Sequence, residues 1–201
     1  MLTRITHDSN GNHLLLDQYC VVNNYHSITS QDCFCSIKGN TSSIKKYFED
    51  NFDNLNFIPV NPAMRGWEAH NFDDSVLQQI INDNELLTTI NKRFKIFGGF
   101  FMKTHANTQI PWHYDYPRRG PVLNLMLNDV LSYSFFARHT IDTTDLIQCK
   151  YDQGQFCLYN TDMVHSVINL DQIRYTISLW FEEGRKELSW EEARDTILLI
   201  T

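Results

Sequence analysis

Ile110-Pro111-Trp112-His113-Tyr114-Asp115-Tyr116-Pro117 is the stretch whose reading decides the fold of this chain. On an extended segment side chains alternate between two faces, so His113 and Asp115, two residues apart, project together as a claw. Far downstream, Asn160-Thr161-Asp162-Met163-Val164-His165 supplies a second histidine just past a turn-like cluster, and Arg174-Tyr175-Thr176-Ile177-Ser178 follows as an alternating strand. Two histidines and one carboxylate form a facial set of metal ligands. Such a set leaves three positions of an octahedral ferrous ion open, enough for a chelating co-substrate and dioxygen. On the last strand Arg174, Thr176 and Ser178 share one face, while Tyr175, Ile177 and Leu179 share the other. An inward arginine needs an anion, because a buried unpaired charge is costly, so Arg174 is the candidate anchor for a carboxylate, with a hydroxyl neighbour in Thr176 or Ser178.

Around the claw the chain reads as short β runs divided by turn residues. They are Lys95 to Lys103, Trp112 to Tyr116, Val122 to Leu127, Ser132 to Ala137, Leu146 to Tyr151, Gln155 to Tyr159, His165 to Ile168 and Ile173 to Phe181. Closely spaced strands without intervening helices predict a jelly roll or sandwich, not a parallel sheet with crossovers. Upstream, Leu14 to Val22 is expected to be a strand that lengthens the main sheet, and Thr41-Ser42-Ser43 to cap a helix over Ile44 to Asp50. A polar and aromatic loop is expected around Pro59, Pro62 and Arg65-Gly66-Trp67-Glu68. From Asp73 to about Arg93, Val76, Leu77, Ile80, Ile81, Leu86, Leu87 and Ile90 recur near a 3.6-residue period, with a soft spot at Asn82-Asp83-Asn84, which predicts one or two amphipathic helices. Ser189 with Glu192 three positions on is a capping box opening a C-terminal helix from Ala193 to Ile200.

Composition sets the outer bounds. A length of 201 residues with 42% hydrophobic content fits a single domain. The expected division is 1–93 as N-terminal strand and supporting helices, 94–181 as jelly-roll core and 189–201 as C-terminal helix. A net charge of −7 argues against a sequence-independent grip on duplex nucleic acid, which needs clustered cations. No apolar run reaches the length of a membrane span and no signal-peptide segment follows Met1, so a cytoplasmic protein is the expectation. The five cysteines include one close pair, Cys33-Phe34-Cys35; neighbours pointing the same way from a strand make a poor disulfide, and free buried thiols are the expectation.

Taken together, His113-x-Asp115, His165 and Arg174-Tyr175-Thr176-Ile177-Ser178-Leu179-Trp180 resemble the signature of the Fe(II)/2-oxoglutarate-dependent dioxygenases. The final run is similar to the closing strand of the prolyl-hydroxylase-like branch. The resemblance covers Phe94 to Phe181, with Gly154 opening the strand before His165. It implies a double-stranded β-helix of jelly-roll type with helices on one face. It also implies ferrous iron on His113, Asp115 and His165, and 2-oxoglutarate chelated at the iron with its far carboxylate on Arg174, helped by Thr176 or Ser178. Dioxygen is the remaining reactant, and the implied outcome is hydroxylation with release of succinate and CO2. The glycine pair that many members place after the claw is missing, and the His165-to-Arg174 spacing is short, which bears on subfamily and substrate.

Asn124 and Tyr133, on neighbouring strands, are further candidates to hydrogen-bond 2-oxoglutarate; the simpler reading of each is a satisfied core polar group. Trp112, Tyr114, Arg118 and Arg119 flank the claw and are candidates for the substrate mouth. Two other readings of the residues stay open. A cupin-type metalloenzyme that does not use 2-oxoglutarate would normally carry three histidines and leave Arg174 unexplained; a vestigial binding module would not need an intact triad. The expected substrate is a small molecule, an amino acid or a peptide side chain.

Overall fold

A computed structural model describes residues 4–7, 13–15, 29–61, 65–113, 115, 120–137, 147–150, 154–181 and 188–201. The N-terminal strands β1 (Arg4–His7) and β2 (His13–Leu15) precede a short helix α1 (Ser30–Cys33), β3 (Phe34–Ile37) and α2 (Ser42–Asn51). Then come β4 (Ile58–Pro59), β5 (Trp67–Asn71), α3 (Asp74–Asn82) and α4 (Glu85–Phe94). The second half is β6 (Ile96–Thr104), β7 (Thr108–His113), β8 (Val122–Met126), β9 (Ser132–Ala137), β10 (Ile147–Lys150), β11 (Phe156–Tyr159), β12 (Val164–Asn169), β13 (Arg174–Phe181) and the helix α5 (Trp190–Ile200). The strands form two sheets, β3-β11-β8-β13-β6-β5-β4 and β10-β9-β12-β7-β1-β2. Pairing is antiparallel throughout except between β1 and β7. This is a mainly β, two-sheet architecture of the jelly-roll type that the spacing of short strands predicted.

Strand β13 shows why one sheet can be buried on both sides. It lies between β8 and β6, so neither edge is open. Its alternate residues Ile177 and Leu179 have no exposure and belong to the large apolar cluster with Ile80, Ile81, Leu87, Ile90 and Ile197 of the helices. Each such side chain contributes about 1.5–3 kcal/mol on burial. The other set, Arg174, Thr176 and Ser178, is equally buried but faces the second sheet. The aliphatic core therefore sits between sheet and helices, which frees the space between the sheets for a polar site.

The helices start where their caps place them. Asp73 Oδ1 accepts from Val76 N at 2.9 Å, and Ser189 Oγ accepts from Glu192 N at 3.1 Å. The soft spot at Asn82-Asp83-Asn84 is a true break into α3 and α4: Asn84 Oδ1 accepts from Leu87 N at 3.0 Å, and its amide donates to Asn40 O at 2.7 Å. A cap side chain that is also tied to another loop cannot serve as helix interior.

Three local expectations change. The loop around Pro59 and Trp67 contains the paired strands β4 and β5, which extend the larger sheet; tertiary pairing with β6 outweighs the weak strand propensity of Trp67-Glu68-Ala69-His70-Asn71. With β3, these strands bring residues preceding 94 into the same sheet as the jelly-roll core. The expected strand over Leu14 to Val22 is described only as far as Leu15, where β2 forms an edge of the smaller sheet; residues 16–22 lie outside the described part. Cys33 and Cys35 do not share a strand, because Cys33 closes α1 and β3 begins at Phe34. The four described cysteines are free thiols.

Candidate metal centre

The register of β7 against β12 places the first candidate ligand. His113 pairs with His165, and Ile110 pairs with Val167, so two residues of β7, Pro111 and Trp112, stand against one of β12, Ser166. The extra residue is a β-bulge, which turns His113 to the interior alongside Ile110 while Trp112 packs on the outer side with Ala137 and Val164. Regular alternation would have put Trp112 inside. Asp115 lies beyond the end of β7, and its backbone N–H donates to Thr161 O at 3.3 Å. Thr161 in turn donates its hydroxyl to Gly120 O at 2.6 Å. The turn before β12 thus holds the loop that carries the carboxylate.

Both imidazoles are oriented by their own backbone. His113 Nδ1–H donates to Pro111 O at 2.7 Å, and His165 Nδ1–H donates to Met163 O at 2.9 Å. Since a carbonyl can only accept, this bond fixes the tautomer and leaves the ring lone pair on Nε2 in each case. The ring centroids are 4.2 Å apart. His113 Nε2 stands 3.7 Å from Asp115 Oδ1, and one ligand atom from each of His113, Asp115 and His165 lies within 4.8 Å of the others. Atoms bound at about 2.0–2.2 Å to one ion are separated by about 3–4.4 Å, and the 3.7 Å between His113 and Asp115 lies in that range. The histidines are 5% and 7% exposed, so they are part of the packed interior. Trp67 packs on His113 at 5.7 Å between centroids, and Phe136 on His165 at 5.9 Å.

A cavity of about 310 Å³ opens beside the triad, and Arg174, Asn124 and Ser178 line it with the three ligands. Arg174 is 2% exposed, directly across the ladder from Thr104. Ser178 donates its hydroxyl to Asn124 Oδ1 across the β13–β8 pair. The Thr176 hydroxyl, buried on the same face between Arg174 and Ser178, has no hydrogen-bond partner among the described residues. Thr176 is not among the residues that line the cavity, but its hydroxyl and the Arg174 guanidinium are buried donors on one strand face, a combination suited to an anion.

Tyr133 is the exception among the sequence candidates. It pairs with Ile168 and shares its face of β9 with Phe135, whereas Ser134 and Phe136 face inward; the strand parity turns Tyr133 to the outside of the smaller sheet. Among the described residues the tyrosine on the cavity wall is instead Tyr159, whose hydroxyl donates to Ser134 Oγ at 2.9 Å. Sequence reading also missed Trp67 and Met102, whose indole N–H and thioether sulfur are in contact. The signal for Trp67 was Gly66, whose φ of +81° marks the tight turn before β5. Trp112 lies on the outer side, and Tyr114, Arg118 and Arg119 lie outside the described residues.

No protein-family model and no curated protein sequence matches this chain. Solved structures do match in fold. A prolyl-4-hydroxylase from Pseudomonas putida superposes with a TM-score of 0.54 at 13% identity, covering 74% of this chain and 91% of that one. A prolyl hydroxylase from Trichoplax adhaerens, in complex with a hypoxia inducible factor oxygen degradation domain peptide fragment, gives 0.55 at 15% identity over 78% and 87%. HygX from Streptomyces hygroscopicus, with nickel, 2-oxoglutarate and hygromycin B bound, gives 0.58 at 10% identity over 80% and 86%. The chain therefore has the double-stranded β-helix fold of the 2-oxoglutarate/Fe(II) oxygenases, with a His-Asp-His cluster inside it.

Proposed function

We propose that the protein is an Fe(II)- and 2-oxoglutarate-dependent oxygenase that hydroxylates its substrate. The observation that carries this reading is the convergence of His113, Asp115 and His165 within 4.8 Å on a cavity whose wall also holds the buried Arg174. A triad alone fits several metalloenzymes; a triad with a buried cation on the same cavity fits one that uses a dicarboxylate co-substrate.

His113 and His165 would hold the metal through Nε2, and Asp115 through a carboxylate oxygen whose charge offsets part of the ion's. The chemistry supplied on loading is activation of dioxygen, coupled to decarboxylation of 2-oxoglutarate to succinate and CO2, with oxidation of a substrate C–H bond. Arg174 would pair with the distal carboxylate of 2-oxoglutarate through its planar fork, and the Thr176 hydroxyl would donate to the same group. The hydrogen-bonded Asn124 and Ser178 side chains line the same cavity. Trp67, Phe136 and the surrounding strands keep the histidine rings in place and limit water on their inner side. Anaerobic addition of Fe(II) and 2-oxoglutarate should produce the weak visible charge-transfer band of the chelate; folded, iron-loaded protein without that band would overturn the proposal.

A further inference from the structure

The cavity has a second wall that the co-substrate does not account for. Ile58 and Val60, which line it, are also 50% and 42% exposed. They stand at the edge of the larger sheet, in and just after β4, which is three strands from β13, or roughly 14 Å at the usual inter-strand spacing. A 2-oxoglutarate held by Arg174 occupies the β13 side and leaves this lip clear. Pro59 between them removes a backbone donor from the sheet edge, which disfavours addition of a strand there and leaves side-chain packing as the use of the exposed apolar surface. Behind the lip, Ala69, Trp67 and Met102 continue the wall inward, and the Trp67 ring reaches the metal ligand His113.

Charge points the same way. Among the described residues lining the cavity, the ionisable side chains able to meet a charged ligand are His113, Asp115, His165 and Arg174, all taken by metal and co-substrate; Tyr159 is engaged with Ser134. A charged group brought in here would be desolvated without a counter-ion on these walls. Resting on the function proposed above, we infer that the substrate presents an uncharged, hydrocarbon-rich group, which enters over the Ile58–Val60 lip and packs against Trp67 and Met102. An apolar side chain within a peptide and an apolar small molecule share this chemistry; a free zwitterionic amino acid does not.

Calorimetry on the anaerobic protein loaded with Fe(II) and 2-oxoglutarate tests this. N-acetyl-L-leucinamide or isoamyl alcohol should bind about ten-fold or more tightly than L-leucine or N-acetyl-L-lysinamide, because the charged probes lose hydration of their ionic groups without gaining a counter-ion. A stronger response to the amide identifies a peptide, and a stronger response to the alcohol a small molecule. Ile58→Ser should weaken the neutral probe by about ten-fold and leave 2-oxoglutarate affinity unchanged. Charged probes binding as well as neutral ones, no binding of either neutral probe, or indifference to Ile58→Ser would overturn the inference. If wild type does not bind 2-oxoglutarate, the proposed function fails instead, and the neutral-over-charged preference is then decided on protein loaded with Ni(II) alone.

Discussion

At the scale of single residues, the proposed function assigns His113, Asp115 and His165 to the metal and Arg174 to the co-substrate, and substitution should separate them. His113→Ala, Asp115→Ala or His165→Ala should each abolish iron-dependent succinate formation. Retained turnover in any of the three would remove that residue from the ligand set. Arg174→Ala removes a charge-assisted hydrogen bond worth about 1.5–3 kcal/mol, so 2-oxoglutarate affinity should fall about ten- to a hundred-fold with metal affinity nearly unchanged. Arg174→Lys should recover part of the loss, since an ammonium lacks the planar fork. Calorimetry of 2-oxoglutarate under anaerobic conditions reads both, and an unchanged affinity in Arg174→Ala would remove the anchor. Away from the site, burial holds the Cys33 thiol up to about 12 and the Cys35 thiol to about 11, from an ordinary 9.0. Both thiols keep their protons in the folded chain after the unfolded chain has lost them. Their contribution to stability is therefore full below about pH 9 and is lost as pH rises toward 11–12. Urea midpoints across that window should fall less steeply in Cys33→Ala than in wild type.

Elements place those residues, and two of them do so by departing from regular geometry. The bulge in β7 decides which of Trp112 and His113 faces the cavity, and a period-two reading of the sequence does not contain it. The claw survived as a sequence motif because His113 and Asp115 converge, yet they converge through a bulge and a loop tied to Thr161, not through one uninterrupted strand. Asn84 shows the opposite case, where a local signal was legible: its cap divides what a hydrophobic period alone would join. Asn84→Ala removes the N-cap of α4 and the donor to Asn40 O, so it should destabilise the fold by about 1–2 kcal/mol. A urea midpoint indistinguishable from wild type would show that the α3–α4 break does not depend on this side chain.

For the whole molecule, binding at one site should raise the stability of the entire fold, because the ligands come from strands distant in sequence. At a metal concentration a hundred times the dissociation constant the gain is about 2.7 kcal/mol, or roughly 5–10 °C in Tm for a domain of this size. Thermal melts with Ni(II) should show that shift in wild type and not in Asp115→Ala; equal shifts in both would place the binding elsewhere. What the sequence determined by itself was the class of fold and the set of residues that meet at the cavity. Short strands at close spacing, and two histidines, a carboxylate and an arginine on extended segments, are local patterns that are legible without a structure. Tertiary structure alone decided the parity of Tyr133, the inward turn of His113, and the membership of Trp67 and Tyr159 in the cavity wall. Each of these depends on register with a strand far away in the chain, and a one-residue shift in register exchanges the two faces of a strand without changing a single residue of its sequence.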